Sequence, residues 1–197
     1  MPSFTMDGTT IFSKSGSDIT YANGTLGSGT IFPSGHVIQI KYVNKTNTQS
    51  LNSHDFLDIV GLSLDITTKN TNSLIFVQAD AKVSTAPSGS WGGGHLRCVR
   101  TIGGTSTNMH QTEGSHGQDH SSMCGGLHYG QHHLAHPYTG LFVDDHQQSS
   151  GTTINYKLQF AITNYTSAAG YVNRANDTST VYSGTGGSNL TLWEIMP

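Results

Sequence analysis

Alternating apolar and polar residues along much of the chain predict β-strands. The clearest alternation covers residues 153–162, and residues 36–43 and 95–102 repeat it, as expected for strands with one buried face. Residues 74–77 are consecutively apolar, which favours a strand at the centre of a sheet. No window longer than about ten residues shows helical periodicity. The pattern therefore predicts an all-β chain.

Turn-rich gaps separate the predicted strands from residue 36 onward. Strands spaced in this way are typical of an antiparallel β-sandwich, here of jelly-roll type over residues 36–197. Within the strand at 153–162, the alternation places Leu158, Phe160 and Ile162 on the buried face, and Leu192 is also predicted to lie in the core.

Residues 1–35 form a short amino-terminal extension. Three short strand-like pieces, Thr10–Lys14, Ile19–Ala22 and Gly29–Phe32, are separated by Gly and Ser. They are too short and too polar to bury a core alone, so we expect them to form a shaft or attachment segment by intertwining with copies of themselves.

Residues 103–138 differ from the rest of the chain and read as a His/Gly-rich loop insertion. They have little apolar periodicity and many Gly, Ser, Gln and His residues. Loops of this length are unusual within a compact domain, and they tend to be functional or disordered.

Low charge narrows the range of functions. Charged residues make up 11% of the chain, against roughly 25% in ordinary soluble domains. The formal net charge is -3 and there is no basic run, which argues against a nucleic-acid partner. No apolar stretch approaches the ~20 residues of a membrane span. The amino terminus does not read as a secretory signal, so we expect an extracellular protein to leave the cell by another route, such as lysis.

Cys98 and Cys124 do not form a CxxC motif. They could pair, remain free or bind a metal. Assembly in a reducing cytoplasm favours two unpaired thiols.

Three segments together resemble the carboxy-terminal knob of tail-fibre proteins from phages of marine and aquatic bacteria. They are residues 23–29 leading into 32–39, residues 61–67 before the strand from Ser73, and residues 156–160 leading to 171–174 and 190–195. The resemblance covers most of 23–83 and 153–196, and it omits the His-rich middle. The order and spacing of the three segments carry the resemblance.

The resemblance implies a homotrimer at the tip of a fibre, assembled in the host cytoplasm and extracellular after release. Its ligand would be a host-surface polysaccharide or an outer-membrane protein. Fibre proteins usually carry a long attachment region, whereas this chain has only about 35 residues before the knob. Either the fibre is short or the chain docks on another virion tail protein.

Histidines cluster between residues 95 and 146. A His-rich tract is a compositional signal for a transition metal such as Zn, Fe or Ni. Our candidate ligands are His116, His120, His132 and His136, because pairs at i and i+4 converge on a short helical turn. The alternative is that these histidines are solvated loop residues, or that they contact glycans or neighbouring subunits.

Three aromatic residues are candidate ligand-binding groups. Trp91, Tyr129 and Tyr138 offer flat apolar faces that could stack on sugar rings. The alternative for each is a contact with the core.

Catalysis has little support in the sequence. Glu113, Asp119, Asp144 and Asp145 could supply the two carboxylates of a glycosidase, but nothing places two of them across a cleft. We therefore expect a receptor-binding fibre tip without enzyme activity. The alternatives are a purely structural virion or filament subunit and, less favoured, a glycan depolymerase.

Overall fold

The computed structural model describes residues 3–6, 9–15, 18–21, 33–86, 92–109, 124–128, 135–163, 169–175 and 186–197. For residues 3–21, 86, 92–93, 124–128 and 163 it describes the backbone alone. The chain divides into two compact units, Met1–Pro33 and Ser34–Pro197. The described residues contain no helix, and accordingly none that could cross a membrane.

The amino-terminal unit is a small antiparallel sheet in the order β1-β2-β3. Its strands are β1 (Ser3–Met6), β2 (Thr9–Ser15) and β3 (Asp18–Tyr21). Asp7-Gly8 stands between β1 and β2, and this dipeptide favours a two-residue hairpin. Of the predicted pieces, Gly29–Phe32 lies outside the described residues. Association of this unit with copies of itself stays a prediction.

The described residues of the second unit form eleven strands. They are β4 (Val37–Lys45), β5 (Gln49–Leu51), β6 (Leu57–Thr67), β7 (Leu74–Ala86), β8 (Gly92–Ile102), β9 (Thr105–Met109), β10 (Cys124–His128), β11 (His136–Asp144), β12 (Thr153–Thr163), β13 (Ala169–Val172) and β14 (Ser188–Ile195). All their pairings are antiparallel.

Three pairs of these strands are collinear pieces of one longer strand. β13 and β14 both pair with the same side of β7. On their other side, β13 pairs with β5 and β14 pairs with β4. Likewise, β9 and β10 both pair with the same side of β8. One sheet therefore has the order β4/β5, β13/β14, β7, β11, and the other has β6, β12, β8, β9/β10. With each collinear pair counted once, this is the strand order of a jelly roll.

The core lies between the two sheets. The inner face of β12 carries Ile154, Tyr156, Leu158, Phe160 and Ile162, none more than 2% exposed. The opposite sheet contributes the following buried residues: Ile75, Val77, Ala79, Ala81, Val83, Leu190 and Leu192. The predicted fold class and the predicted burial of Leu158, Phe160, Ile162 and Leu192 are confirmed.

The segment expected as a loop at 103–138 also contains strands. β9 and β10 lie within it and pair with β8. Because their backbone hydrogen bonds come from β8, they form without the apolar alternation that marks strands in the sequence. β5 was also missed, because its three residues fall in a polar stretch that reads as a loop.

Candidate functional site

The two ends of the sandwich carry different connections. At one end, which we call the entry end, the second unit both begins and finishes: Gly35 N donates to Met196 O at 2.9 Å, and Met196 N donates to His36 O at 2.9 Å. The connections 68–73, 103–104 and 145–152 also lie there, since they join strand ends that are register partners. All of these connections are described.

A buried carboxylate closes the entry end. Glu194 on β14 is 0% exposed. Its Oε1 accepts hydrogen bonds from Lys69 N at 2.7 Å, Asn70 N at 3.1 Å and Ser73 Oγ at 2.6 Å, and Gln39 Nε2 donates to Oε2. These bonds satisfy the buried carboxyl group and hold the 68–73 connection against the sheet.

Asp144 is a second buried carboxylate near the same end. Arg100 Nη1 donates to its Oδ1 at 2.6 Å, and Tyr156 Oη donates to its Oδ2 at 2.6 Å. Asp144 therefore joins β11 to β8 and β12 across the two sheets. Of the other candidate carboxylates, Asp145 is exposed and accepts from Gln147 Nε2, while Glu113 and Asp119 lie outside the described residues.

His146 lies beside this network and is 4% exposed. Its Nδ1 accepts from Gln148 N at 3.0 Å, and its Nε2 has no hydrogen-bond partner among the described residues. Burial lowers the pKa of His146, although Asp144 and Glu194 act in the opposite direction. A buried imidazole of this kind is neutral at pH 7.

At the far end of the sandwich, opposite the entry end, strand ends from both sheets come together. Gly92 pairs with His128, Val83 pairs with both His136 and Val172, and Ala169 pairs with Ala86. The connections 87–91, 129–135 and 164–168 leave from these strand ends. These strand ends belong to both sheets, so this end brings together strand ends that are distant in sequence.

Two of the candidate ligand-binding aromatics adjoin these strand ends. Trp91 precedes Gly92 and Tyr129 follows His128, and Gly92 and His128 are register partners. The fold thus brings together the two strand ends that carry Trp91 and Tyr129. Both aromatic residues themselves lie outside the described residues.

Tyr138 has a different environment. It is 6% exposed on β11, and its ring meets the ring of Phe160 edge-on at a centroid distance of 6.2 Å. The inward face of β11 buries it between the sheets. The core contact left open as the alternative therefore describes Tyr138, and its ring presents no open face for a sugar.

The candidate metal ligands attach to the fold at two places. His116 and His120 stand in the sequence between β9 and β10, whereas His132 stands between β10 and β11; all three lie outside the described residues. His136 is the first residue of β11, is partly buried and pairs with Val83. Within the described part of the chain, no group of three or more His, Cys, Asp or Glu residues could hold a metal ion.

The connection between β9 and β10 interrupts one edge of a sheet. Met109 pairs with Cys98 and Cys124 pairs with Leu96, so the chain leaves the edge of β8 after Met109 and rejoins it at Cys124. Residues 110–123 are thus anchored at both ends on a continuous strand of the core. Rigid β-scaffolds commonly present recognition segments in this manner.

One feature of the second unit was not predicted from the sequence. The sheet that contains β4, β14, β7 and β11 carries apolar side chains on its solvent side: Ile40, Tyr42, Phe76, Leu141, Val143 and Trp193. We call these six residues the outer apolar face. Ile40, Tyr42, Leu141 and Val143 are 55%, 68%, 54% and 52% exposed, and the rings of Phe76 and Trp193 are in edge contact at 5.2 Å.

The alternation in β4 was the available signal for this face. Ile40 and Tyr42 alternate with Gln39 and Lys41, and this pattern alone predicts that the apolar set is buried. In the structure Gln39 and Lys41 share register with the inward-facing Glu194 and Leu192, so Ile40 and Tyr42 point outward.

No family model matches this sequence, and no curated protein matches it. Among solved structures, the chain is similar to the structure of infectious bursal disease virus Gx strain, with 9% identity and a TM-score of 0.31 over 98% of this chain and 46% of that one.

Two further similarities have TM-scores of 0.34. The infectious bursal disease virus VP2 subviral particle is 8% identical over 100% of this chain and 42% of that chain. The infectious bursal disease virus Gt strain structure is 9% identical over 100% of this chain and 47% of that chain. This chain spans less than half the length of each. The fold assignment rests on the strand order given above.

Proposed function

We propose that this chain is a virion structural protein that serves as the knob of a tail fibre. In this proposal it forms a homotrimer, contacts other tail proteins and binds a host-surface polysaccharide or an outer-membrane protein. It acts on the virion and outside the host after release, without enzyme activity and without nucleic-acid binding or membrane insertion.

The opposite placement of the two sandwich ends is the observation that carries this proposal. The entry end receives the chain from the amino-terminal unit and is closed by short connections around Glu194 and Asp144. The far end has the strand ends that adjoin Trp91 and Tyr129. A fibre tip needs this arrangement, because its attachment side and its recognition side must be different surfaces.

Three further observations support the proposal. The ordered motifs given above resemble tail-fibre knobs over most of 23–83 and 153–196. The jelly-roll architecture is one that capsid and lectin domains use. The low proportion of charged residues, 11%, suits a ligand that is recognised by stacking and neutral hydrogen bonds.

Binding to host cells is the direct test. Fluorescently labelled full-length protein should bind susceptible cells saturably, and purified surface polysaccharide should compete if a glycan is the ligand. Trp91→Ala together with Tyr129→Ala should weaken binding at least about tenfold, as expected for aromatic anchors. Lys69→Ala is the matched control, because Lys69 is exposed at the entry end.

Equal binding by the aromatic double variant and the wild type would exclude the far end as the recognition surface. An assembled protein that binds no host cell would favour the purely structural alternative. Release of reducing sugar ends from the polysaccharide would instead indicate a depolymerase.

A further inference from the structure

The outer apolar face consists of one complete row across the sheet and the two edge positions of the next row. Val143, Phe76, Trp193 and Ile40 are successive register partners on four adjacent strands. In the next row, Leu141 and Tyr42 lie at the two edges, with Gln78 and Thr191 between them. Neither row contains a charged residue. The apolar side chains therefore form one continuous surface.

The solvent side of the other sheet is mostly polar, and its exposed large apolar residues, Leu57 and Val60, lie on the edge strand β6. Lys157 Nζ donates to Asp58 Oδ2 at 2.9 Å, Gln159 Nε2 donates to Asp58 Oδ1 at 2.5 Å, and Arg97 Nε donates to Gln159 Oε1 at 2.7 Å. Both sheets share one core and one solvent. General hydrophobicity of the chain therefore cannot explain why only one of them carries a row of apolar side chains across its outer face.

The register of β4 determines which of its side chains face solvent. A slip of one residue would turn Ile40 and Tyr42 toward the core. The observed register instead keeps Gln39 inward, where its Nε2 donates to Thr67 O at 2.7 Å and to Glu194. The outward position of the apolar residues of β4 is thus fixed by specific hydrogen bonds.

We propose that the outer apolar face is a subunit interface, covered by a second copy of this chain. This inference rests on the homo-oligomer of the proposed function and specifies where its subunits meet. It places a contact on the knob itself, in addition to any contact made by residues 1–35.

The size of the face fits this occupant. The four exposed side chains leave roughly 450 Å² in contact with solvent, within the ~300–600 Å² expected for the largest apolar patch on a monomer, and a patch of that rank is often functional. A standard interface buries about 800 Å² per partner and surrounds an apolar centre with polar residues.

Such a polar border is present along the same strands. Thr139, Asp80, Asn189 and Asn44 are register partners in one row, and Lys82 Nζ lies 2.8 Å from Asp80 Oδ1. Because the centre of the face carries no charge, two copies can approach each other without like-charge repulsion.

Oligomeric state is the test. Ile40→Lys together with Leu141→Lys places one charge at each edge of the face, and Lys is tolerated on edge strands. Val60→Lys is the matched control, because Val60 is 67% exposed on β6 of the other sheet. Each full-length protein would be analysed by sedimentation from about 1 to about 100 µM, with circular dichroism and melting to verify folding.

We expect the wild type and Val60→Lys to sediment as oligomers and the folded double variant to dissociate at concentrations at least about tenfold higher, because only the contacts of residues 1–35 remain. A monomeric wild type, or a folded double variant that dissociates over the same concentrations as the wild type, would overturn the proposal. If the double variant fails to fold, the accessibility of Trp193 to acrylamide in a Trp91→Phe background decides the question. Protection should increase with protein concentration, and an accessibility independent of concentration would overturn the interface.

Host-cell binding by the wild type and by Val60→Lys, which keeps the outer apolar face intact, is measured separately from assembly. The two measurements distinguish a failure of this inference from a failure of the proposed function. If the protein assembles through the face but does not bind host cells, the receptor role is rejected and the interface is retained. If the protein binds host cells but the double variant assembles as well as the wild type does, the interface is rejected and the receptor role is retained.

Discussion

Replacing Phe160 by alanine tests the packing between the two sheets, because its ring reaches from β12 to the opposite sheet. Phe160 is 1% exposed and contacts Tyr138 edge-on. Removing the ring loses its buried area and leaves a cavity, at a cost of about 3–5 kcal/mol. For a domain of this size, the melting temperature should fall by roughly 10 °C.

Two glycines allow a sharper version of this experiment. A Cβ at Gly94 would lie 2.4 Å and 2.5 Å from two Phe160 ring atoms, with no other atom nearer than 3.5 Å. Gly94→Ala should therefore cost about 1–3 kcal/mol in the wild type through overpacking. In the Phe160→Ala background the obstruction is gone, so the same change should cost almost nothing or stabilise slightly.

Gly170→Ala is the control. A Cβ there would lie 2.8 Å from the Phe160 ring, but also 2.9 Å from Ile162 Cγ2 and 2.9 Å from the carbonyl oxygen of Leu51. Because backbone yields less readily than a ring, Gly170→Ala should remain destabilising when Phe160 is removed.

Urea unfolding of all six proteins at one fixed protein concentration gives the coupling energies. We expect a coupling of about 2 kcal/mol between residues 94 and 160 and a smaller one between 170 and 160. Equal costs of Gly94→Ala in both backgrounds would refute the packing described here.

Four further predictions concern single groups. Because the pKa of buried His146 is lowered in the folded protein, the unfolded state binds more protons, and stability should fall as pH decreases through about 6.5. The fall should be smaller in His146→Gln, and the difference between the melting curves of the two proteins should persist in a chelator. Burial, with Asp144, raises the pKa of the free Cys98 thiol to about 12; in Cys124→Ser protein a thiol reagent should therefore react only after unfolding, and reaction in the native state would contradict its burial. Asn173 has a φ of 62° and its Nδ2 donates to the carbonyl oxygens of Lys45 and Asn47, so Asn173→Ala should cost about 2–4 kcal/mol and Asn173→Gly about 1 kcal/mol less, as measured by urea unfolding. If the predicted histidines bind a transition metal, elemental analysis of untagged protein should find at least one ion per trimer and a chelator should lower the melting temperature; a metal-free protein indifferent to chelator would contradict it.

The candidate site was only partly accessible from the sequence. Clustering of histidines and the presence of Trp91 and Tyr129 could be read directly. Their attachment to particular strand ends could not, because it depends on pairings such as Gly92 with His128 between residues that are distant in the chain. For Tyr138 the residue type allowed either role, and its position on the inward face of β11 decided for the core.

The sequence by itself determined that the chain is all-β and which residues of β12 face the core between the sheets. Strict alternation from Ile154 to Ile162 is sufficient for this, because successive side chains of a strand point to opposite faces.

Only the tertiary structure decided which side chains of each sheet face solvent. A period of two separates the faces of β4 but does not say which one meets the core, and Ile40 and Tyr42 turned out to face solvent. The strand order, the link from Asp144 to Arg100 and Tyr156, and the interrupted edge at Met109 and Cys124 all depend on non-local pairing. Such pairing arises from backbone hydrogen bonds and shape, which leave no periodic signal in the residues themselves.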